Sequence, residues 1–253
     1  MASTAHDTKI VDQFTRWAQP FADLSVHADA DGMARTLAAA AITPEMAVLD
    51  VACGPGIVAC AAAPLARHIT GIDLTPAMID QARGRQRNAG LDNITWQVGD
   101  ATRLPFEDDR FDVVLTRYSF HHIPDPGAAL REMTRVCRPG GRVVVIDATP
   151  TADTQAAYDR METLRDPSHA SALTLDQLRA LGQRAGLIER GTDFYRLEAL
   201  LDTLADAEDM VGLTALFETD ITSGEDRIGV AARHAADGIR FVFPVSIVAW
   251  DRQ

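Results

Sequence analysis

The sequence is poor in the residues that mark disulfide-bonded, metal-binding and membrane proteins. It contains three cysteines in 253 residues, Cys53, Cys60 and Cys137, an odd number without a C-x-x-C pair. That pattern fits neither a disulfide framework nor a zinc site. The longest nearly apolar stretch, residues 51–66, is interrupted by glycines and prolines and is too short to span a bilayer. The N-terminus lacks a basic region followed by an apolar one, so we expect a cytoplasmic protein without membrane insertion or a bound metal.

Positive charge is also scarce. The chain has 24 Lys and Arg against 36 Asp and Glu, a formal net charge of −12. Such a surface repels phosphate groups, so nucleic acid is not an expected partner. The motifs H-E-x-x-H, G-x-S-x-G and the Walker loop are absent, which argues against the commonest metalloproteases, hydrolases and NTPases. We expect a small-molecule partner, and a monomer or homodimer.

Between residues 46 and 149, short apolar runs alternate with helical patterns. The β-branched runs are at 47–52, 68–73, 94–99, 111–116 and 142–147. Strands buried on both faces have this composition, and the alternation predicts an α/β fold with a mostly parallel sheet. Leu187–Tyr195 and Ile239–Trp250 bring the predicted sheet to seven strands. Pro244 places the last of them at an edge or at a bulge.

The first predicted strand leads into a glycine turn that starts at Asp50 and contains Gly54 and Gly56. Such glycines let a ligand approach the backbone, and the next helix offers free N–H groups. The G-x-G-x-x-A pattern alone is a weak nucleotide signal. Asp73, at the end of the second strand, is placed to accept hydrogen bonds from a ribose diol. Asp50 would repel a pyrophosphate but suits an ammonium or sulfonium group, and Asp100 after the third strand can bind the amino edge of adenine.

These motifs together resemble the class I S-adenosylmethionine-dependent methyltransferases, in particular the UbiE-like branch of small-molecule enzymes. The matching segments are LDVACGPG, GIDLTPAMI, GDATRLPF, FDVVLTRYSFHHIPDP and RVCRPGGRVVVID. Ala52 departs from the glycine of much of the wider class, although alanine is often seen in the UbiE-like branch. The resemblance implies a Rossmann-like, doubly wound fold and S-adenosyl-L-methionine as cofactor. It also implies methyl transfer to a small, hydrophobic or aromatic acceptor, which leaves S-adenosylhomocysteine.

The resemblance implies roles for individual residues around the cofactor. Gly54 and Gly56 would bring backbone to the methionine portion, and Asp50 would orient its amino group. Asp73 would bind both ribose hydroxyls. The remaining predicted contacts are Ala52 in the glycine turn, Leu74 and Met78 beside the adenine, Asp100 and Ala101 at its edge, Thr116 beside the methionine portion, and Arg117 at a carboxylate. Met78 taken alone fits a core position better than a cofactor wall, and Arg117 taken alone fits a structural salt bridge better than a ligand contact.

Three histidines are candidates for the chemistry. His121 and His122 follow the fourth strand and His169 follows the fifth, at the sheet edge where ligands bind in parallel α/β folds. Each could act as a general base or hydrogen-bond donor to the acceptor, or could instead pack or cap its own loop. Phe14 and Trp17 resemble a lid segment over the site, with a plain packing helix as the alternative.

The chain is predicted to be one methyltransferase domain. The domain covers residues 1–253. Within it we expect N-terminal lid helices at 1–45, the cofactor-binding core at 46–149, and a helical cap at 196–238, inserted between the last two strands. Apolar residues at helical spacing in the cap predict a helix pair that would contribute to acceptor specificity. Two other functions stay open: a non-methylating reaction in an S-adenosylmethionine-binding protein, and a nicotinamide-dependent oxidoreductase.

Overall fold

The computed structural model describes residues 5–16, 29–204 and 209–253; Trp17 lies outside them. The helices are α1 (Ala5–Arg16), α2 (Ala30–Ala40), α3 (Ile57–Ala62), α4 (Pro76–Asn88), α5 (Pro126–Val136), α6 (Gln155–Arg165), α7 (Leu175–Arg184) and α8 (Met210–Ser223). The strands are β1 (Ala47–Val51), β2 (His68–Asp73), β3 (Ile94–Val98), β4 (Phe111–Arg117), β5 (Cys137–Ala148), β6 (Leu187–Leu200), β7 (Arg233–Ala235) and β8 (Gly238–Arg252). Over these described ranges, no helix combines the length and apolar content needed to cross a membrane.

The strands form a single sheet in the order β3-β2-β1-β4-β5-β8-β6, with β7 paired to β8. Neighbours from β3 to β5 are parallel, whereas β8 runs antiparallel between β5 and β6. The predicted mostly parallel α/β sheet is confirmed. The seven predicted strands make up this path, and β7 is an additional strand too short to show an apolar pattern. Strand order reverses between β1 and β4, so a ligand crevice is expected at their carboxyl ends.

Alternation along the central strands creates an apolar layer on each face of the sheet. Val113 and Leu115 of β4 pack with α2 and α3 on one face, and Val114 packs with α5 and α7 on the other. Every residue of β4 is buried, as a strand between two parallel neighbours and two helical layers must be. This rigid double layer holds the turns after β1, β2 and β4 in fixed positions.

The prediction that Pro244 marks an edge or a bulge is wrong, because β8 is an interior strand and its register shift with β6 lies between Glu189 and Gly191, far from the Arg196–Pro244 pair. Ala148, the last residue of β5, pairs with Val245. Pro244 therefore lies just beyond the end of β5, and its carbonyl accepts a hydrogen bond from the Thr149 N–H at 2.7 Å. The N and C=O of one strand residue point to the same side, so the missing N–H faces this strand end and breaks no ladder bond.

The segment between the last two strands also differs from the prediction. Arg196–Leu200, predicted as the start of the helical cap, continues β6 and pairs with β8. Leu197 and Ala199 are buried whereas Arg196 and Glu198 are exposed, which is the two-residue period of a strand. In the sequence, the spacing of the leucines from Leu197 onward had suggested a helix.

Only one α-helix, α8, occupies the described part of the cap, instead of the predicted pair. Leu213 and Phe217 on α8 are fully buried in a third apolar cluster with Tyr158 and Phe241. The apolar face of α8 thus packs against α6 and the start of β8. Polar substitutions there would disrupt this core.

Candidate active site

The turn after β1 has an unusual backbone that opens a cleft beside it. Ala52, Gly54 and Gly56 have φ angles of +52°, +51° and +75°, a region that glycine tolerates and that strains an alanine by about 1–2 kcal/mol. A Cβ added to Gly54 would meet no atom within 4 Å. Gly54 therefore presents bare backbone to open space, as the sequence motif predicts.

Gly56 has a different role. A Cβ there would come within 2.6 Å of the Trp96 ring and 2.9 Å of the Ala82 Cβ. Gly56 does not line the cleft; its missing side chain lets the start of α3 pack on α4 and on β3. This packing role does not test the expectation that the Gly56 backbone approaches the ligand, which stays a prediction.

A cleft with about 1070 Å³ of empty space, open solvent included, runs along the carboxyl ends of β1 to β4. Eight of the eleven predicted cofactor residues line it: Ala52, Gly54, Asp73, Leu74, Met78, Asp100, Ala101 and Arg117. Met78 is also fully buried, so it is a core residue that borders the cleft, and its contact with the adenine stays a prediction. Helix α1 covers part of the cleft with Asp7, Ile10 and Phe14.

Asp73 joins the turns that follow β1 and β2. Its Oδ2 accepts a hydrogen bond from the Gly54 N–H at 2.8 Å, and its Oδ1 accepts one from the Thr75 N–H at 2.8 Å. Burial raises the pKa of Asp73, and these hydrogen bonds oppose the rise. Each carboxylate oxygen retains a second acceptor position, which the two hydroxyls of a ribose could use.

Asp50 lies beneath the glycine turn with 2% of its surface exposed. The Ala59 N–H donates to its carboxylate, but Oδ2 is buried and has no hydrogen-bond partner. Burial raises the pKa of Asp50 to about 8, and the nearby Asp73 adds to the rise. A buried carboxylate without a partner is costly unless a cation compensates it, so Asp50 fits a ligand that carries a positive charge.

Two other predicted contacts have local structural roles. The Asp100 side chain accepts hydrogen bonds from the N–H and the hydroxyl of Thr102, both at 2.8 Å, and shapes the turn at the far end of the cleft. Thr116 is buried and donates to the Val51 carbonyl at 2.7 Å. Thr116 does not line the cleft but ties β4 to the glycine turn, and its place beside the methionine portion stays a prediction.

Arg117 and Tyr118 form the wall at the end of β4. The Arg117 guanidinium lies 4.3 Å from the centre of the Tyr118 ring and donates to its hydroxyl at 3.2 Å. That hydroxyl also lies 2.5 Å from the hydroxyl of Tyr195 on β6. Tyr118 has a φ of +57°, which costs about 1–3 kcal/mol for a residue of this size and is typical of functional sites.

A second cavity, with about 620 Å³ of empty space including open solvent, adjoins the first. Tyr118 and His122 line both cavities. The other polar residues of its wall are His121, Asp147, Tyr158, Glu162, Arg165 and Asp166. The sequence interpretation missed these residues apart from His121, although Asp147 ends the strand motif RVVVID just as Asp50 and Asp73 end theirs.

His121 is bound to Asp147 at the wall of the second cavity. Its Nδ1 lies 2.6 Å from the Asp147 Oδ1, and its backbone N–H donates to Oδ2 at 3.2 Å. Burial opposes protonation of the ring, but the charge and the hydrogen bond of Asp147, together with the charge of Glu162, outweigh it and raise the pKa of His121. This pair has the arrangement of a general base whose orientation is fixed by a carboxylate.

His122 lies between the two cavities and is buried. The edge of the Phe14 ring contacts it with centroids 5.0 Å apart, and its Nδ1 lies 3.2 Å from the Ser168 hydroxyl. Burial and the neighbouring His121 lower the pKa of His122. The ring is therefore neutral near pH 7 and can only position a substrate or close the wall.

The structure brings His169 close to the other two histidines but not to either cavity. Its ring centre is 5.8 Å from that of His121, and its side chain is 1% exposed. Its Nε2 lies 2.7 Å from Asp159 on α6, which also accepts from the Ser171 hydroxyl. His169 thus braces a loop against α6, and its prediction as a catalytic residue is not supported by this placement.

No three His, Cys, Asp or Glu side chains in the described ranges are arranged to hold a metal ion.

The chain is similar in sequence to known methyltransferases. Residues 49–145 match a family model described as a methyltransferase domain. The chain is 32% identical over 170 residues to the protein of Bacillus subtilis (strain 168) named "Uncharacterized methyltransferase YcgJ", covering 66% of this chain and 67% of that one. It is 37% identical over 119 residues to a demethylmenaquinone methyltransferase of Clavibacter sepedonicus, covering 47% of each. The alignment thus spans less than half of the second relative.

The fold is similar to that of solved structures. The crystal structure of YcgJ has a TM-score of 0.79 at 26% identity and covers 88% of this chain and 99% of that one. A geranyl diphosphate methyltransferase in complex with SAM has a TM-score of 0.67 at 16% identity over 93% and 90%, a likeness of fold alone. The segment matched by the family model contains every predicted cofactor residue, from Asp50 to Arg117.

Proposed function

Because the chain belongs to the class I S-adenosylmethionine-dependent methyltransferases, we propose that it binds S-adenosyl-L-methionine in the first cleft and methylates a small, hydrophobic or aromatic acceptor. The observation that carries the proposal is the junction of two cavities at Tyr118 and His122. One cavity is lined by the cofactor motifs, and the other by a histidine–carboxylate pair and apolar side chains. A methyl group bound in the first would have a short path to an acceptor in the second.

The residues of the first cleft fit the cofactor in charge and shape. Asp50 offers a buried, unpartnered oxygen to the positive charge of the cofactor, and Asp73 offers lone pairs to its ribose. Gly54 leaves room for close approach at the turn. When bound, the cofactor supplies an electrophilic methyl group that is attached to a sulfonium. Transfer of the methyl group would leave a neutral thioether.

Helix α1 contributes by keeping water from the cleft. The His6 Nε2 lies 2.9 Å from the His122 carbonyl, and Phe14 packs edge-on against the His122 ring. These contacts join the first helix to the boundary between the cavities. Excluding water strengthens electrostatic interactions inside the site and prevents loss of the methyl group to hydrolysis.

His121 would accept the proton that the acceptor loses. Asp147 holds Nδ1, which leaves the other ring nitrogen for the acceptor, and its charge stabilises the imidazolium that forms. His122, held neutral by burial, would complete the wall. General-base assistance of this kind is worth about 10²–10⁴ in rate.

A methyl-acceptor screen tests the proposed function. Purified protein is incubated with S-adenosyl-L-methionine and pools of small hydrophobic and aromatic compounds, and released S-adenosylhomocysteine is measured. We expect release that depends on both the acceptor and the protein, with a product 14 mass units heavier than its acceptor. If the acceptor were converted to a product of unchanged or reduced mass without release of S-adenosylhomocysteine, the chain would catalyse a non-methylating reaction instead.

A further inference from the structure

We propose that the second cavity is the acceptor site and that it selects a hydroxyl group on a molecule without negative charge. The inference rests on the proposed function, and it names the substrate class of that site. It follows from the balance of charge around the cavity and from the position of its base.

The fixed charges of the cavity wall do not leave a cation available for an anionic acceptor. Arg165 lies 2.6 Å from the Glu162 carboxylate, and both side chains are largely buried, at 12% and 3% exposure. The guanidinium charge is therefore compensated within the wall. His121, when protonated, is compensated in the same way by Asp147 at 2.6 Å.

Asp166 adds a negative charge to this wall. It is 1% exposed, and its Oδ1 accepts hydrogen bonds from the N–H and the hydroxyl of Ser168 at 2.7 and 2.6 Å. Burial opposes ionisation of Asp166, but the charge of Arg165 and the hydrogen bonds from Ser168 help to hold the pKa of Asp166 below its usual value. The negative side chains of this wall are Asp147, Glu162 and Asp166, and the positive ones are Arg165 and protonated His121. The net charge is therefore about −1, and about −2 once His121 is in its basic form.

A negatively charged acceptor would therefore enter a buried site of the same sign. In a water-poor cavity such repulsion is weakly screened. An uncharged acceptor avoids it, and the apolar part of the wall, formed by Leu197, Leu204, Phe243 and Val245, suits an apolar body. Selection against anions is thus part of the cavity itself.

The free ring nitrogen of His121 defines the reacting group. A hydroxyl that donates to it gives up its proton to the imidazole, while an oxygen lone pair forms the new bond to the methyl carbon. The methyl–sulfur bond breaks, and its electron pair remains on sulfur, which becomes a neutral thioether. The products are the methyl ether, S-adenosylhomocysteine and a protonated His121, so charge and atoms balance.

Paired probes that differ only in charge test the inference. The pair is 3-(4-hydroxyphenyl)propanamide and 3-(4-hydroxyphenyl)propanoate, extended by amide and carboxylate pairs on other phenols and alcohols. Two quantities are measured: binding to the protein saturated with S-adenosylhomocysteine, by calorimetry, and transfer of labelled methyl from S-adenosyl-L-methionine. We expect each amide to bind at least about tenfold more tightly, and to be methylated with at least about tenfold higher kcat/KM, than its carboxylate partner.

Two variants and a matched control separate cavity charge from surface charge. Glu162→Gln removes the direct ion-pair partner of Arg165, and Asp166→Asn removes a negative charge while keeping that ion pair; either should lower the amide preference several-fold. Glu218→Gln makes the same charge change on the exposed face of α8, where the side chain is 47% exposed, and should leave the preference unchanged. The Asp166 variant provides the test if the buried Glu162 substitution prevents folding.

The outcomes distinguish this inference from the proposed function. Equal or better use of carboxylates, or an unchanged preference in the folded cavity variants, would overturn the charge selection. Binding of S-adenosylhomocysteine without binding or methylation of any hydroxyl probe would overturn the acceptor class and leave the cofactor site intact. Failure to bind S-adenosylhomocysteine would instead contradict the proposed function.

Discussion

Replacing Asp50 by asparagine should stabilise the free protein and weaken cofactor binding. Burial raises the pKa of Asp50 from 3.8 to about 8, so the folded state keeps a proton that the unfolded chain releases. The sign follows: the free energy of unfolding falls as pH rises from about 4 to about 8. At pH 7 the titration of Asp50 alone lowers the free energy of unfolding by about 4 kcal/mol relative to its value below about pH 4.

Asparagine removes that penalty but buries an amide whose NH₂ group has no partner, at a cost of about 1–3 kcal/mol. The net gain at pH 7 is therefore about 1–3 kcal/mol, or a rise in Tm of several degrees. The ligand effect has the opposite sign. An ion pair at about 4 Å and an effective dielectric of about 20 is worth about 4 kcal/mol, and ionising Asp50 at pH 7 takes back about 1.4 kcal/mol. A loss of about 2–3 kcal/mol, or 30–150-fold in affinity, remains.

Calorimetric titration with S-adenosylhomocysteine and thermal unfolding, each from pH 6 to pH 9, measure both effects. Wild-type affinity should rise with pH and level off near pH 8, with a proton released on binding below that pH, whereas Asp50→Asn should show no such dependence. The reasoning would be refuted by a variant that binds as tightly as wild type, or by one that is less stable than wild type at pH 8.

Three further predictions use other parts of the site. Asp73→Ala should weaken S-adenosylhomocysteine binding by about 2–3 kcal/mol in calorimetry; unchanged affinity would mean that the ribose site is misassigned. With a hydroxyl acceptor, wild-type kcat/KM should increase as pH rises past the raised pKa of His121, and His121→Gln should lose this dependence and about 10²–10⁴ in kcat while binding S-adenosylhomocysteine normally. Gly56→Ala should lower the free energy of unfolding by about 2–4 kcal/mol, because the alanine would adopt a strained φ and its Cβ would clash with the Trp96 ring. Gly54→Ala should cost less stability but reduce cofactor affinity, and equal effects of the two glycine variants on both quantities would contradict their assigned roles.

Much of the first cleft could be predicted because its carboxylates stand near the ends of strand motifs. Asp50, Asp73 and Asp100 lie at or just after the ends of three strands whose apolar patterns are unambiguous, and parallel strands bring their carboxyl ends to one edge. The order of residues along the chain therefore determined which side chains would meet.

Orientation was harder to predict than position. Gly56 belongs to the same turn as Gly54, yet its missing Cβ faces Trp96, forty residues later, and only packing of β3 and α4 decides this. His169 lies close to His121 as expected, but its ring binds Asp159 on α6 and lines neither cavity. Such choices depend on contacts between elements that no local pattern encodes.

The second cavity could not be predicted because its wall combines distant parts of the chain, from Tyr118 to Val245. Part of that wall comes from β6, where Leu197 had been assigned to a helix. Leu197 and Ala199 fit the two-residue period of a strand, whereas Leu197 and Leu200 fit the period of a helix. Pairing of this segment with β8 resolves the ambiguity. Besides His121 and His122, which the sequence named, Asp147 carried a recognisable signal as a carboxylate at the end of a buried strand.

A crystal structure with bound S-adenosylhomocysteine tests the central claim most directly. The ligand should occupy the first cleft with its ribose hydroxyls on the Asp73 carboxylate and its ammonium group near Asp50. Its sulfur should face the boundary at Tyr118 and His122, open to the second cavity. A ligand bound elsewhere, or bound with its sulfur directed away from that boundary, would contradict the assignment of the two cavities.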